Sequence, residues 1–401
     1  MILHVACLPF PTHQGTQAAI AAMMQASAIA GRPSQLLAYA QAAYEPDAGY
    51  EIHRIPNFPK VRSLRSGPSW GKVALDARCV LETRKLGLRF QPRAIVAHHI
   101  EAALAALAAR VAPVYYVAHT SLEHELPVYL PGVPERIVRS VARRAERQVC
   151  ERATGVAAVA PSLATLLGEG VRYLPVPWPP SAVTHRATRE EARLALGLAP
   201  KAHVCLYAGN LDRYQGWESL IEATSLLRRD DRNARLLIAT ASDPAPARQQ
   251  AERVGISDAV RFASLDSERA RMLAHAASDL AWVPRRTEGG LPIKMLDAFA
   301  RELPVVAMER ATAGLPVQRA CLTVCNDTPG ALATAAASLL QNESARDALR
   351  DGARRYLAVH HSKEWFSTAM RHLLGEPRAS RPSRSSRPSR YAPTRLFLDP
   401  N

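Results

Sequence analysis

Residues 287–300 read TEGGLPIKMLDAFA. Gly289 and Gly290 allow close backbone approach, and Pro292 suits a first helical turn, where no N–H is needed. With Leu291 and Ile293 around that proline, the spacing predicts a helix from about 291 with Lys294 in its first turn. Such a helix start offers free N–H groups and the positive end of a dipole to an anion. Asp297 follows three residues on, on roughly the same face. A carboxylate beside an anion makes electrostatic sense when it accepts from neutral hydroxyls, as acidic residues do for ribose in dinucleotide folds. The residues thus suggest a nucleoside diphosphate with Asp297 on its ribose. A capped amphipathic helix that binds nothing is the plainer alternative.

The stretch sits late in a long alternation. Strands are expected at 2–8, 35–39, 94–98, 114–118 and 155–159, with helical patterns near 16–30, 70–88, 100–110, 134–151 and 162–168. After the proline-rich connection at 171–181 a second series begins. Its strands are expected at 203–208, 234–240, 259–263, 279–283, 304–308 and 321–325, with helices between them and helical patterns over 329–374. This is an α/β pattern of parallel sheets covered by helices. It implies two tandem Rossmann-like domains, 1–178 and 179–375, with the final helices able to pack back on the first domain. Residues 376–401 are rich in Arg, Pro and Ser and are expected to form a disordered basic tail.

In doubly wound sheets ligands bind beyond the carboxyl ends of strands. There the first half offers PFPTHQGTQ with Gly15, AHHIEA with His98 and His99, and AHTSLEHELP with His119, Thr120, Glu123, His124 and Glu125. Histidines at these ends are expected to face the crevice, His119 as a hydrogen-bond partner of substrate. No ligand cluster of typical metal spacing accompanies them, so no metal is assigned. In the second half YAGNLDRYQGWESL brackets Asn210, Asp212, Arg213 and Gln215 between Gly209 and Gly216. That loop can hold phosphate through backbone N–H groups, with Arg213 adding charge.

Composition narrows the classes. The formal net charge is +15, and only six lysines (Lys60, Lys72, Lys85, Lys201, Lys294, Lys363) contribute, so arginine dominates. The balance favours polyanionic partners. Aromatic residues are 6 % and do not interleave with the basic ones, which argues against a nucleic-acid module. Six cysteines stand far apart without a CxxC pair, which fits a reducing cytoplasm. No run approaches the length of a membrane span, and MILHVACLPFP reads as a first strand.

In order and spacing PFPTHQGTQ, AHHIEA, VAHTSLEHELP, VAAVAPSLA, YAGNLDRYQGWESLIEA and EGGLPIKMLDAFARELPVVA resemble the family-4 type of retaining glycosyltransferases of the GT-B fold. The resemblance covers roughly 1–375. It implies two Rossmann-like domains with sheets facing a central cleft. It implies a nucleotide-sugar donor, UDP- or GDP-linked, in the second domain, and a saccharide or lipid acceptor in the first. Transfer retains configuration and uses neither metal nor cofactor. It places His119 near the transferred sugar, and Gly15 and His99 near the diphosphate and acceptor. The donor set is Gly209, Asn210, Arg213, Gln215, Glu288, Gly289, Gly290, Leu291, Pro292, Ile293, Lys294 and Asp297, the last on the ribose. The family's E-x7-E pattern is broken here: eight residues before Asp297 stands Gly289, with Glu288 one position earlier. Loop positions that usually carry Arg and Lys carry Asn210 and Gln215. Arg213, or Arg285 and Arg286, remain to supply that charge.

Two basic amphipathic stretches, 62–93 and 134–152, suit peripheral contact with an anionic membrane surface on its cytoplasmic side. Competing readings are a degenerate GT-B protein that binds nucleotide-sugar without transfer, and a nucleotide-sugar epimerase of the same fold.

Overall fold

A computed structural model describes residues 1–12, 14–44, 49–57, 70–179, 187–288 and 290–376. Gly289, the 62–69 part of the first basic stretch and the tail after 376 lie outside the described residues. The first sheet holds β1 (Ile2–Pro9), β2 (Ser34–Tyr39), β3 (Glu51–Ile55), β4 (Ala94–His98), β5 (Val114–Ala118), β6 (Gly155–Ala158) and β7 (Arg172–Tyr173), in the order β3-β2-β1-β4-β5-β6-β7. The second holds β8 (His203–Ala208), β9 (Ala234–Thr240), β10 (Val260–Ser264), β11 (Leu280–Val283), β12 (Val305–Met308) and β13 (Leu322–Val324), in the order β10-β9-β8-β11-β12-β13. Every neighbouring pair is parallel. Central strands such as ILHVACLP and HVCLYA are almost wholly buried, which is why they read as unbroken apolar runs.

In the first domain the helices are α1 (Gly15–Ile29), α2 (Trp70–Phe90), α3 (His99–Ala109), α4 (Leu122–Tyr129), α5 (Glu135–Arg152) and α6 (Pro161–Leu167). The second carries α7 (Arg189–Ala195), α8 (Glu218–Leu227), α9 (Ala245–Val254), α10 (Glu268–Ala276), α11 (Ile293–Ala300), α12 (Glu309–Thr312) and α13 (Pro329–Gln341). Then α14 (Glu343–His360) and α15 (Lys363–Leu373) carry the chain back to the first domain. Four elements had no expectation in the sequence. β3 is a half-exposed edge strand, β7 is two residues long, α4 hides behind its internal Pro127, and α12 is a single four-residue turn.

The return crossing ties the two domains into one buried core. Phe366, Met370 and Leu373 of α15 join side chains of the first sheet, while Leu296 and Phe299 of α11 join the same cluster. Each such side chain contributes roughly 1.5–3 kcal/mol on burial. At the corner between α14 and α15, His361 Nδ1 donates to the Val176 carbonyl at 2.7 Å, and Trp178 N donates to the His361 carbonyl at 2.8 Å. The connecting strand after β7 is thus clamped by the chain's own return.

Helix α14 packs against α11 and depends on one glycine. A Cβ at Gly352 would lie 1.6 Å from the Arg319 carbonyl oxygen. Gly352→Ala gains about 1 kcal/mol in helix propensity. It is nonetheless expected to lose about 2 kcal/mol or more through displaced backbone. Thermal or urea unfolding of the variant checks this, and an unchanged or raised stability would contradict the packing described.

Candidate active site

Both sheets reverse their strand order beside a first strand, between β1 and β4 and between β8 and β11. The loops after those strands face each other. Crevices at such switch points are where doubly wound sheets bind ligands.

On the second domain's side, β8 ends at Ala208 and the loop begins with Gly209. A Cβ there would meet Lys294 Nζ at 2.9 Å, so glycine leaves room for the lysine to lie over the backbone. At the loop's other end Gly216 has φ +68°, and a Cβ would meet the Pro284 carbonyl at 2.3 Å. The two loops of this domain therefore touch through backbone. Lys294 reaches from the first turn of α11 to Gln215 Oε1 at 2.6 Å and to the Tyr207 hydroxyl at 3.3 Å. Its ammonium also stands 4.4 Å from the centre of the Tyr207 ring. All these partners are neutral. Burial first, and then the charge of Arg285, push the Lys294 ammonium down to about 7.

Arg285, two residues past the end of β11, is 6 % exposed. Its Nε donates to Thr287 Oγ1 at 3.1 Å, and its guanidinium lies 5.7 Å from the Tyr214 ring centre. Nη2 has no hydrogen-bond partner among the described residues; Glu125 Oε1 is 3.8 Å away. A Cβ on Gly290 would come within 3.0 Å of both terminal nitrogens, so this glycine too makes way for a cation. Arg213 is exposed on a 3-10 turn and takes no part in the Lys294 hydrogen bonds. Arg286 turns to Ser219 Oγ at 2.9 Å. Of the three arginines considered from the sequence, the buried one beside Lys294 is Arg285.

The placement of Asp297 on the face of Lys294 needs correction. Asp297 is 5 % exposed and turns toward α10. Its Oδ2 accepts from Arg271 Nη1 at 3.2 Å and its Oδ1 from Arg301 Nε at 3.2 Å, with His275 Nε2 3.8 Å away. Burial alone would raise this carboxyl, but His275, Arg271 and Arg301 together hold it below its ordinary range. Pairing with two guanidiniums, one of them four residues on along α11, carries the carboxylate off the cation site. Glu288 is exposed near the cleft mouth, and Asn210 Nδ2 is engaged by Asp212 Oδ2 at 2.9 Å. Leu291, Pro292 and Ile293 are buried at the start of α11.

On the first domain's side, Gly15 opens α1 directly against α11; a Cβ would meet Ile293 at 3.4 Å. His119 follows β5, and Thr120 bridges Gly290 across the cleft through backbone pairing. His99 takes a left-handed φ of +69°, which turns its ring onto that of His119 with centroids 5.0 Å apart. His99 Nε2 lies 3.4 Å from Thr16 Oγ1. His98 does not face the crevice as the sequence suggested: it is wholly buried, between His4 and His119. The segment after His119 is held by Glu146 of α5, whose carboxylate accepts from the N–H of Leu122 at 2.7 Å and of Glu123 at 3.4 Å. Glu146 and His4 gave no signal in the sequence, because each lies amid residues of ordinary helix or strand pattern. Among the described residues no three His, Cys, Asp or Glu side chains gather as a metal-ion set.

Comparison with known proteins agrees with this geometry. Residues 202–342 match the family model described as Glycosyl transferases group 1. The D-inositol 3-phosphate glycosyltransferase of Corynebacterium glutamicum is 29 % identical over 197 residues, 46 % of this chain and 45 % of that protein. The corresponding protein of Corynebacterium urealyticum is 31 % identical over 196 residues, again 46 % of this chain and 45 % of the relative. The matched stretch thus spans about half the length of these relatives. Among solved structures, sucrose-phosphate synthase from Thermosynechococcus elongatus superposes with a TM-score of 0.74 at 17 % identity, covering 93 % of this chain and 98 % of that one. Anabaena Alr3699/HepE in complex with UDP-glucose gives 0.73 at 15 % identity, covering 93 % and 99 %. In fold the chain is a GT-B protein, and its second domain matches the group 1 glycosyl transferases.

Proposed function

We propose that this chain transfers a sugar from a nucleoside-diphosphate sugar to an acceptor hydroxyl, with retention of configuration. The observation that carries the reading is the pair of half-buried Lys294 and buried Arg285, held where the two switch-point loops of the second domain meet, opposite His119. A diphosphate brings this pair more counter-charge than Glu125, 3.8 Å from Arg285, supplies alone. As the bond to the anomeric carbon breaks, negative charge grows on the leaving diphosphate, and fixed cations in a dry cleft stabilise it without reorganisation. The backbone at Gly209, Gly290 and Leu291, with Gln215, lines the phosphates. Asp297 keeps lone pairs beyond those given to Arg271 and Arg301 for ribose hydroxyls. His119 stands beside the transferred sugar, and Gly15 and His99 border the acceptor. The acceptor oxygen attacks from the face the diphosphate leaves and passes its proton to the departing phosphate oxygen, which preserves configuration. A binding protein without transfer is the second reading, favoured by Asn210 and Gln215 standing where cations are usual.

A first test is thermal unfolding with UDP, GDP, ADP, dTDP and uridine, each at about 1 mM. A ligand at about 100 times its Kd stabilises by about 2.7 kcal/mol. One diphosphate is expected to raise the midpoint and the uncharged nucleoside to fail. Lys294→Met and Arg285→Gln are each expected to weaken binding about tenfold to a hundredfold, the worth of a charged hydrogen bond. UDP-glucose, the ligand of the Anabaena neighbour, is the first donor to try for transfer. No stabilisation by any diphosphate would sink the reading. Binding without single-turnover nucleotide release, with acceptor present, would leave only the second reading.

The lowered Lys294 gives a signed pH prediction. The free ammonium titrates at about 7, and a bound diphosphate must raise that value. Below 7 the lysine is charged before and after binding, so affinity is level; above 7 binding takes up a proton, and affinity falls as pH rises. At pH about 8, calorimetry in two buffers of different ionisation enthalpy is expected to show uptake approaching one proton. No uptake would contradict the assigned environment.

We also assign the outer helices of the first domain to an anionic membrane surface. No helix among the described residues is long and apolar enough to cross a membrane. Yet Val73, Leu81 and Leu88 of α2, Leu104 of α3, and Ile137 and Val141 of α5 are exposed on helices that pack side by side. Exposed Arg84, Lys85, Arg89, Arg136 and Arg144 flank them. Apolar side chains ringed by arginine suit an interfacial helix, each basic residue adding about 1 kcal/mol near anionic lipid. In flotation assays the protein is expected to rise with vesicles containing phosphatidylglycerol and not with pure phosphatidylcholine. The double variant Ile137→Ser, Val141→Ser should lose most of that binding; equal flotation of both proteins would overturn the assignment.

A further inference from the structure

Beneath the cleft three imidazoles run in single file across adjacent strands. His4 lies on β1, His98 ends β4, and His119 follows β5. His4 Nδ1 stands 3.0 Å from His98 Nε2, and His98 Nδ1 stands 3.1 Å from His119 Nε2. Their exposures are 0 %, 0 % and 4 %. Burial pushes all three below the usual imidazole range, His4 to about 3, so the file is neutral at ordinary pH. Each ring then carries one N–H and one lone pair.

Two nitrogen–nitrogen contacts in a neutral file admit two continuous hydrogen-bond directions. In one, His4 Nδ1–H donates to His98, and His98 Nδ1–H donates to His119 Nε2. The hydrogen of His119 is then on Nδ1. In the reverse direction His119 Nε2–H donates inward, and the hydrogen of His4 is left on Nε2. His4 Nε2 is buried without a hydrogen-bond partner among the described residues. An orphaned buried N–H is rarer than an orphaned acceptor, which favours the first direction. The remaining nitrogen of His119 is the one that His98 does not engage, on a ring already stacked with His99 of the cleft wall.

We infer that His4 and His98 are positioning residues that lock His119 in its Nδ1–H tautomer, making it a fixed donor to an oxygen of the transferred sugar. The inference rests on the glycosyltransferase reading for the identity of that oxygen, and on geometry alone for the tautomer. The second nitrogen's bond sets which nitrogen of an imidazole keeps the proton. A donor fixed in this way selects a sugar bearing an acceptor oxygen at that point and orients it before the diphosphate leaves. With its hydrogen fixed on Nδ1 and its lone pair on Nε2 given to His98, His119 has no free lone pair with which to take a proton from the sugar.

Long-range proton–nitrogen spectra of the full chain, labelled at histidine with ¹⁵N, read the tautomer directly. The result expected is a protonated Nδ1 and a bare Nε2 at His119, unchanged between pH 6 and 8. A protonated Nε2 there would overturn the inference, and it would do so whether or not any nucleotide binds. In His98→Leu the His119 tautomer is expected to change and kcat for transfer to fall about tenfold or more, with UDP affinity held within about twofold. His98→Gln retains an amide donor and is expected to restore most of the loss. Equal activity of the Leu and Gln variants would overturn the positioning role. The wild-type spectrum decides the tautomer even where a variant fails to fold. UDP-glucose is expected to shift His119 Nδ1 where UDP does not; equal shifts would overturn the contact with sugar. Failure of every diphosphate to bind would remove the glycosyltransferase reading and leave the tautomer standing.

Discussion

Two cations held close together, Arg285 buried and Lys294 half-buried, with one carboxylate 3.8 Å from the arginine, are the constraint around which this chain is arranged. Like charges brought near each other out of water repel and are poorly solvated, and the fold must supply the difference. It does so with rigid parts. Lys294 issues from the first turn of α11, which is buried on most sides, and Arg285 from the loop two residues past β11, a strand in the middle of the second sheet. Three glycines mark where the cations pass. Gly209 clears Lys294, Gly290 clears Arg285, and Gly216 lets the two loops meet. A side chain at any of them would move a cation or separate the loops. The lysine answers desolvation first, and the charge of Arg285 second, by losing part of its affinity for its proton.

The cation site is also where the two domains meet. Thr120 pairs with Gly290, Gly15 rests on Ile293, and Glu125 of α4 approaches Arg285. Glu125 is itself half-buried, and its desolvation raises its carboxyl against the opposing pull of Arg285. The carboxylate therefore gains from Arg285 while staying too far for a hydrogen bond. On the proposed reading an arriving diphosphate would compete with Glu125 for the same guanidinium, which would link donor binding to the seating of α4; α4 is in turn capped by Glu146 in the line that carries His119.

Much of the architecture was legible in the sequence because parallel strands buried on both faces leave continuous apolar runs. ILHVACL, AIVAH and HVCLYA could hardly be anything else, and the loops that follow them fall where the sheets reverse. Edge elements were less legible. EIHRI is half exposed and mixes charge with apolar residues, so β3 shows no strong period; α4 contains a proline that argues against a helix. At the site, residue types were visible but their directions were not. Lys294 and Asp297 sit three apart, a spacing compatible with one face. Partners decided otherwise: Gln215 and Tyr207 draw one side chain, Arg271 and Arg301 the other. His98 looked like a crevice residue because it ends a strand, yet alternation along β4 turns it inward. His4 had no signal at all, since one polar letter inside ILHVACL says nothing until its neighbour strand is known.

The departures from the family pattern become intelligible as a movement of charge. The resemblance places a lysine just before the second glycine of the loop, where this chain has Gln215. Here Gln215 accepts from Lys294 at 2.6 Å, so an ammonium stands beside that position though its backbone belongs to α11. The arginine expected after the first glycine is Asn210, which ties itself to Asp212, while Arg285 enters from β11. Two loop cations have been exchanged for one on a helix start and one in the loop two residues behind a strand end. A loop cation is positioned by whatever orders the loop. These two are positioned by the sheet and by α11, whose far side is fixed through Asp297 to Arg271 and Arg301. On that view the ion-paired Asp297 and the cation site are two ends of one device: the carboxylate anchors α11 against α10, and the anchored helix aims Lys294.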